Sequence, residues 1–520
     1  MIAARQFRLH LLGVLTVIWL GAGGEALSRF EDNWRFDRLT LTKRPPDPAK
    51  ARGAERALLP QITYRAGVDP EWFFLPPARL EMPRNPELQS RHQANPKALN
   101  AENFIWNDAL LADPPSRLIE IVRDLRIESL FAFPSYDGSK APLYRLYPGN
   151  DFSPTPWVTD RWGWLGSDAP VRKPLHVVRI GIIGDSTVQN FIAPALQTYL
   201  DAWAKYRGYD VNFEVFSAAR LGIRDVDAIA TLRYELGPMG LDFVYQSFGP
   251  TFSWQQGALQ MRQFALPFDA GKGQADAHRM RTALQRLLAP MVGLSALVRR
   301  TSDLIAENGS NGAVLPEPHK PKITLRSLPG TDGEIVLGEA RKEAYFASLI
   351  DSLAQYKETA DRAHTTPLVS AERVCAWGGM VLRRGANDRL YEMLNSSYFW
   401  PFSYADVRKI LDAHNGVIAA WAKENGVDLV DIDGRMPADP DLCSDPWHDT
   451  EFAQQIHAWL IFQALLPRLE HGLGRGLLPR ANGIDSDVHP YLDKPIERVN
   501  RREWLSKFDT AAGAQAAEKR

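Results

Sequence analysis

The sequence predicts an α/β fold built on a parallel, doubly wound sheet of five strands. Three observations point to it. Short apolar runs recur at His176 to Ile183, Asn212 to Phe216, Asp242 to Phe248, Leu368 to Val374 and Asp428 to Ile432. The stretches between them carry helical periodicity, so strand and crossover helix alternate. The first run is almost continuously apolar, as a strand covered on both faces must be. It breaks at a glycine and delivers Gly184-Asp185-Ser186 at its carboxyl end, the edge at which open α/β sheets bind ligands.

Each element has its own signal. Residues 27–157 are rich in proline, arginine and aromatic residues, and within them Leu118, Ile119, Ile121, Val122 and Leu125 predict a helix over 116–125. After the first strand, Pro194 suits a helix start, where its missing N–H costs nothing, and Leu196, Leu200 and Trp203 mark the buried face. Strand two leads into Ser217-Ala218-Ala219-Arg220-Leu221-Gly222, and strand three into Gly249-Pro250-Thr251-Phe252. Residues 255–362 read as an insertion at the ligand-binding edge: basic helical segments, an exposed loop over 307–338, and a helix over 339–356 that returns the chain to the sheet. It is either a lid or substrate subdomain, or surface decoration. After strand four, Ser403 and Asp406 are spaced as a capping pair. Val407, Ile410, Leu411, Val417, Ile418 and Trp421 form the apolar stripe of the helix they open, and Gly426 suits its end. Strand five precedes Asp445-Pro446-Trp447-His448 and a helix burying Phe452, Ile456 and Trp459. Residues 471–520 read as a C-terminal tail, polar and alanine-rich beyond about Arg501 and disordered at its end.

Gly-Asp-Ser after a buried strand, followed late in the chain by Asp-x-x-His, resembles the SGNH (GDSL-type) hydrolase family. The resemblance covers roughly residues 158–470: a first core part at 158–254, the insertion, and a second core part at 363–470. It implies a flavodoxin-like three-layer α/β/α sandwich, with Ser186 as nucleophile, His448 as base and Asp445 as orienting carboxylate. A serine hydroxyl is a poor nucleophile until an imidazole takes its proton, which is why those types are needed together. It also implies an oxyanion hole built from the backbone N–H groups of Ser186 and Gly222 and from the third block. The family's asparagine in that block is Thr251 here, and the following aspartate is Phe252. Thr251 would have to donate through its hydroxyl, unless Gln246 or an insertion residue substitutes. The segment Thr159 to Gly166 resembles the lead-in of large bacterial members. Exported enzymes resembling this family often act on acylated polysaccharides.

Composition bounds the rest. The chain has 520 residues and a formal net charge of -1, which offers no bulk attraction to nucleic acid or anionic lipid. Arg5 and Arg8 precede an apolar run from Leu11 to Leu20 and then Gly21-Ala22-Gly23-Gly24. Residues 1–26 are therefore expected to be a secretory signal or an uncleaved membrane anchor, placing the protein in the periplasm or outside the cell. In an exported protein the two cysteines, Cys375 and Cys443, can pair in one disulfide or stand as separate buried thiols; sequence separation does not decide. Trp72, Trp106, Trp157, Trp162 and Trp164 are candidates for stacking on sugar rings, or for filling a core. Asp445 and His448 alone do not make a metal site, His457 reads as a packing residue, and no phosphate loop or dinucleotide motif is present, so no cofactor is expected. Three readings follow: an esterase of carbohydrate O-acyl groups, acetyl in the first place; an O-acyltransferase using the same triad; and a degenerate carbohydrate-binding member. The substrate is a small-molecule or polysaccharide acyl ester, and the sequence does not specify an oligomer.

Overall fold

The computed structural model describes residues 62, 65–78, 80, 82, 86, 104–124, 127–136, 142–149, 158–189, 191–249, 263–266, 314–330, 333–396, 398–481 and 485–508. They divide into two compact units. One holds the described parts of 265–324 and 379–403, the other the described parts of 62–264, 325–378 and 404–508. The segment 1–26 and Thr251 lie outside the described residues.

In chain order the main elements begin with β1 (Phe104–Asn107), α1 (Ser116–Asp124), β2 (Ser129–Phe133), β3 (Tyr144–Leu146) and β4 (Leu165–Gly166). Next come β5 (Val177–Ile183), α2 (Ile192–Arg207), β6 (Asn212–Ser217), α3 (Asp225–Thr231), β7 (Phe243–Ser247) and β8 (Val314–Leu315). The chain continues with α4 (Ala344–Arg362), β9 (Thr366–Ala371), β10 (Leu382–Arg383), α5 (Tyr404–Asn425), β11 (Asp428–Asp431), α6 (Glu451–Gly474) and β12 (Glu497–Asn500).

The central sheet of the larger unit has six strands in the order β11-β9-β7-β5-β6-β4. Four of its five pairings join the expected strands, and all of β5, β6, β7, β9 and β11 run parallel. The expectation of a purely parallel five-stranded sheet is corrected by β4, which lies antiparallel on β6. Two residues carry no periodicity to announce a strand. Their place is set by partners instead: Ser167 N donates to Val215 O at 2.9 Å, and Val215 N donates to Ser167 Oγ at 3.0 Å. Helix α2 packs against α6, and α4 packs against α3 and α5, which gives the sheet two helical layers.

Every residue of β5 is buried, including Arg179, which interrupts the apolar run. Its guanidinium pairs with Glu214 at 2.6 Å and donates to the carbonyls of Pro170 and Met239, each at 2.6 Å. A buried charge is tolerable only when it is saturated in this way. These contacts lie toward the start of the strand, opposite the end that carries Ser186.

The amino-terminal region and the tail differ from expectation. β1, β2 and β3 form a second sheet in the order β12-β2-β1-β3, so residues from 471–520 complete it, and 501–508 continue as helix. Short polar Glu497–Asn500 shows no alternation, and its strand state comes from pairing with β2. Trp504 Nε1 then donates to Leu111 O at 2.6 Å. Ahead of this sheet, fully buried Phe73 packs on Tyr199 of α2 and on Phe452 and Trp459 of α6.

The smaller unit contains the antiparallel pair β8–β10. Lys320 Nζ ties its two chain segments together by donating to Phe402 O at 2.8 Å. The returning helix expected over 339–356 is displaced to α4 and belongs with the sheet. Its buried face includes Phe346, Leu349, Ile350 and Leu353, and Tyr356 Oη donates to Val244 O at 2.8 Å.

Cys375 and Cys443 are joined in a disulfide across a sequence separation of 68 residues. Closing a loop of that length restricts the unfolded chain by about 4 kcal/mol in the chain-entropy account. Replacing both cysteines by serine is expected to lower unfolding free energy by that order in urea titrations. Coincident unfolding curves for the two proteins would count against it.

Two buried histidines make stability acid-sensitive. His414 on α5 bonds Phe248 O at 2.9 Å and Tyr345 Oη at 2.9 Å, and burial pushes it down to about 4, against the pull of the Phe248 carbonyl. His457 on α6 bonds Tyr245 Oη at 2.7 Å, and burial followed by the Arg373 charge pushes it down to about 3. In the unfolded chain both protonate near pH 6.5, so below that pH the unfolded state binds more protons. Stability is then expected to fall with falling pH, by about 1.4 kcal/mol per unit per histidine, until the native values are reached. Urea unfolding between about pH 4 and 7 checks this: His457→Gln should show a shallower slope than the parent, and an identical slope would refute the assignment.

Candidate active site

Strand β5 ends at Gly184, whose φ of 144° is one that side-chain-bearing residues rarely adopt, and a Cβ there would meet Val188 Cγ2 at 2.7 Å. The glycine lets the chain turn sharply. Asp185 then caps the turn: its Oδ1 accepts from Thr187 N at 2.9 Å and from Thr187 Oγ1 at 2.7 Å. Ser186 is therefore the first residue of a single 3₁₀ turn, Ser186–Val188, held at the carboxyl end of the sheet.

His448 arrives from the loop between β11 and α6. Ser186 Oγ lies 2.7 Å from His448 Nε2, and His448 Nδ1 lies 2.8 Å from Asp445 Oδ2 and 2.9 Å from Oδ1. All three residues singled out in the two motifs thus meet. Asp445 is 1% exposed, and its Oδ1 also accepts from the backbone N–H groups of Trp447 at 3.0 Å and His448 at 2.9 Å. Burial pushes this carboxyl up, but the imidazole and the two N–H groups outweigh it and hold the group below the usual aspartate range. A carboxylate only accepts, so Nδ1 must carry the proton, leaving Nε2 to accept from the Ser186 hydroxyl.

The loop bearing this pair is clamped to the end of β9. Besides the disulfide, Cys375 N donates to Pro446 O at 2.8 Å, and buried Arg373 pairs with Asp449 at 2.8 Å while donating to Pro437 O at 3.2 Å. Ser444 N and Oγ both donate to His448 O, at 2.8 and 2.9 Å. Sequence reasoning missed Arg373 and Asp449. The Arg–Asp pair spans 76 positions, and no local pattern announces it. His457 is a packing residue on the other side of Asp449, not a second base.

Gly222 lies at the same sheet edge because β5 and β6 run parallel with Ile182 opposite Ser217. The loop closes onto the nucleophile turn through Arg220 N, which donates to Gly184 O at 3.0 Å. Gly222 has a φ of 69° with open space where a Cβ would stand, so glycine is needed here for backbone conformation and not for room. Among the described residues, neither Ser186 N–H nor Gly222 N–H donates a hydrogen bond. Gln246, the suggested substitute for the third donor, is fully buried within β7 with neither amide atom paired.

A recess beside the turn is lined by Gly184, Asp185, Ile223, Arg224, Asp225, Ser247 and Gly249. Burial, then the charges of Asp185 and Asp227, raise Asp225 to about 7. Burial and Asp185 also push Glu372 well above the usual range, and Glu372 bonds Ser247 Oγ. The carboxyl groups that line the recess are those of Asp185 and Asp225, with the Arg224 cation beside them. Of the candidate sugar-stacking tryptophans, Trp157 lies outside the described residues, Trp106 and Trp164 are buried, and Trp72 and Trp162 are half-buried against other rings. Trp72 contacts Tyr206 and Phe462, Trp106 contacts Tyr144, Trp162 contacts His489, and Trp164 stacks on Phe216. Among the described residues no cluster of histidine, cysteine and acidic groups fits a metal, and no helix is long and apolar enough to cross a membrane.

The sequence matches no family model and no curated protein. Solved structures with a likeness to it are hydrolases of the kind its motifs resemble. They include a putative acylhydrolase of Bacteroides fragilis (13% identity, 56% of this chain and 88% of that chain, TM-score 0.27). A GDSL-like lipase of Bacteroides thetaiotaomicron has 12% identity over 56% of this chain and 88% of that one, with a TM-score of 0.26. A catalytic mutant of an acetylxylan esterase from Geobacillus stearothermophilus has 11% identity over 55% and 94%, with a TM-score of 0.28. Likenesses this slight carry no weight for the chemistry, which rests on the geometry of Ser186, His448 and Asp445.

Proposed function

We propose that this chain is an exported serine esterase of the SGNH type that hydrolyses O-acyl esters, acetyl esters of a carbohydrate in the first place. The observation that carries the reading is the 2.7 Å contact of Ser186 Oγ with His448 Nε2, backed by buried Asp445. The order of the five parallel strands agrees with a flavodoxin-like sheet, in which the ligand crevice opens where the order reverses, beside the first strand. Ser186 follows that strand.

In this mechanism Ser186 Oγ bonds to the ester carbonyl carbon as its proton passes to His448 Nε2. Asp445 stabilises the imidazolium, and the N–H groups of Ser186 and Gly222 receive the charge that develops on the carbonyl oxygen. Collapse breaks the ester C–O bond, and the leaving alcohol takes the proton from His448. Water then attacks the acyl-serine with His448 as base, releasing the acid and restoring the serine. The recess supports a hydroxyl-bearing substrate, since the carboxyl groups of Asp185 and Asp225 that line it can accept from hydroxyl groups. Export through residues 1–26 belongs to the same reading.

Turnover of an aryl acetate, with labelling of Ser186 by a fluorophosphonate, tests it. A folded protein that shows neither removes the esterase reading. Diversion of the acyl group from water to an added sugar would replace hydrolysis by the O-acyltransferase reading with the same triad.

A further inference from the structure

We propose that Tyr144, which lies outside the central sheet, is a positioning residue that orients the Leu221–Gly222 peptide so that Gly222 N–H points into the site. The inference rests on the reading of Gly222 as an oxyanion donor and asks what holds that donor in place.

The Tyr144 hydroxyl donates to the carbonyl oxygen of Leu221. Leu221 C=O and Gly222 N–H belong to one planar trans peptide, in which the two bonds point in opposite directions. Fixing the oxygen on the Tyr144 side therefore fixes the N–H on the other. The restraint is needed because this peptide precedes a glycine. Rotation of a peptide plane changes φ of the residue that follows it, and glycine accepts positive and negative φ about equally. The observed φ of 69° at Gly222 is one of two accessible settings, and the other would turn the N–H away.

Restraints on the rest of the loop stop one residue short. Ala218 N donates to Ile182 O at 2.9 Å and Arg220 N to Gly184 O at 3.0 Å. The Arg220 guanidinium is buried against Glu235 and donates to Thr231 Oγ1 at 3.1 Å. Leu221 and Gly222 make no backbone hydrogen bond to the central sheet, and Tyr144 supplies the missing fixed point. Its own position is firm. It lies on β3 opposite Trp106 of β1, is 6% exposed, and its ring lies 4.3 Å from that of Phe104 and 5.6 Å from that of Trp106. A hydroxyl donating to the carbonyl also polarises the peptide and strengthens its N–H as a donor. The second sheet, completed by β12, thereby contributes to catalysis without touching substrate.

Tyr144→Phe in the full chain tests this, because it removes the hydroxyl and keeps the ring packing. With an aryl acetate, kcat is expected to fall about 10- to 100-fold, less than the loss of a whole oxyanion donor, with KM unchanged. The affinity of a boronic acid, whose tetrahedral adduct places an oxygen in the same hole, should weaken by a similar factor. A role in stability alone would lower the melting temperature or the fraction of labelled sites while kcat per labelled site stayed at the parent value. That result, in a protein killed by Ser186→Ala, would overturn the proposal and leave the esterase reading intact. Activity surviving Ser186→Ala would remove the esterase reading itself.

Discussion

Ser186→Ala is expected to lower aryl-acetate turnover by on the order of 10⁴-fold or more and to abolish fluorophosphonate labelling. The magnitude follows from the arrangement: the oxygen that bonds to carbon and the proton that His448 removes are lost together. His448→Ala should cost nearly as much, and the double variant little more than either, because the two act as one unit. The 2.7 Å contact between them is already of hydrogen-bond length without substrate, as direct proton transfer requires. Steady-state rates of the three variants, with labelling to count competent sites, check the expectation. Losses that simply added in the double variant would argue that the residues act separately.

Asp445→Asn is expected to lower kcat by about 10⁴-fold with little change in stability. The reason lies in how the carboxylate is held. Oδ1 accepts from the N–H groups of Trp447 and His448, so the amide oxygen of asparagine must occupy that place. The amide NH₂ is then forced into the position of Oδ2, 2.8 Å from His448 Nδ1. A donor there makes Nδ1 the acceptor and moves the ring proton to Nε2, where it faces Ser186 and blocks proton removal. The turn is preserved and the tautomer is wrong. Melting temperature and kcat measured on the same preparation test this; an asparagine variant retaining kcat within a few-fold would mean that Asp445 does not set the tautomer.

Much of the site was readable because its signals are local. Gly184, Asp185 and Ser186 announce a capped turn after a buried strand. Asp445 and His448 lie three residues apart, close enough for one loop to hold carboxylate and ring together whatever the rest of the chain does. Strands β5 and β7 were readable for a similar reason, since burial on both faces leaves an apolar run in the sequence itself. Where partners and not periodicity decide, reading failed. β4 is two residues long, β12 is polar, and each is a strand only because another strand lies beside it. The helix expected to start at 339 starts instead at Ala344, because burial against the sheet sets its working face.

What the sequence determined by itself is therefore the α/β class, the order of the parallel strands along the chain, and the chemical types at the site. Tertiary structure decided which distant groups meet: Ser186 with His448 across 262 positions, Cys375 with Cys443 across 68, and Tyr144 with Leu221 across 77. The physical reason is that strand and helix patterns arise from neighbours along the chain. A hydrogen bond between remote residues depends on the packing of the elements that carry them, and leaves no periodic trace in either segment.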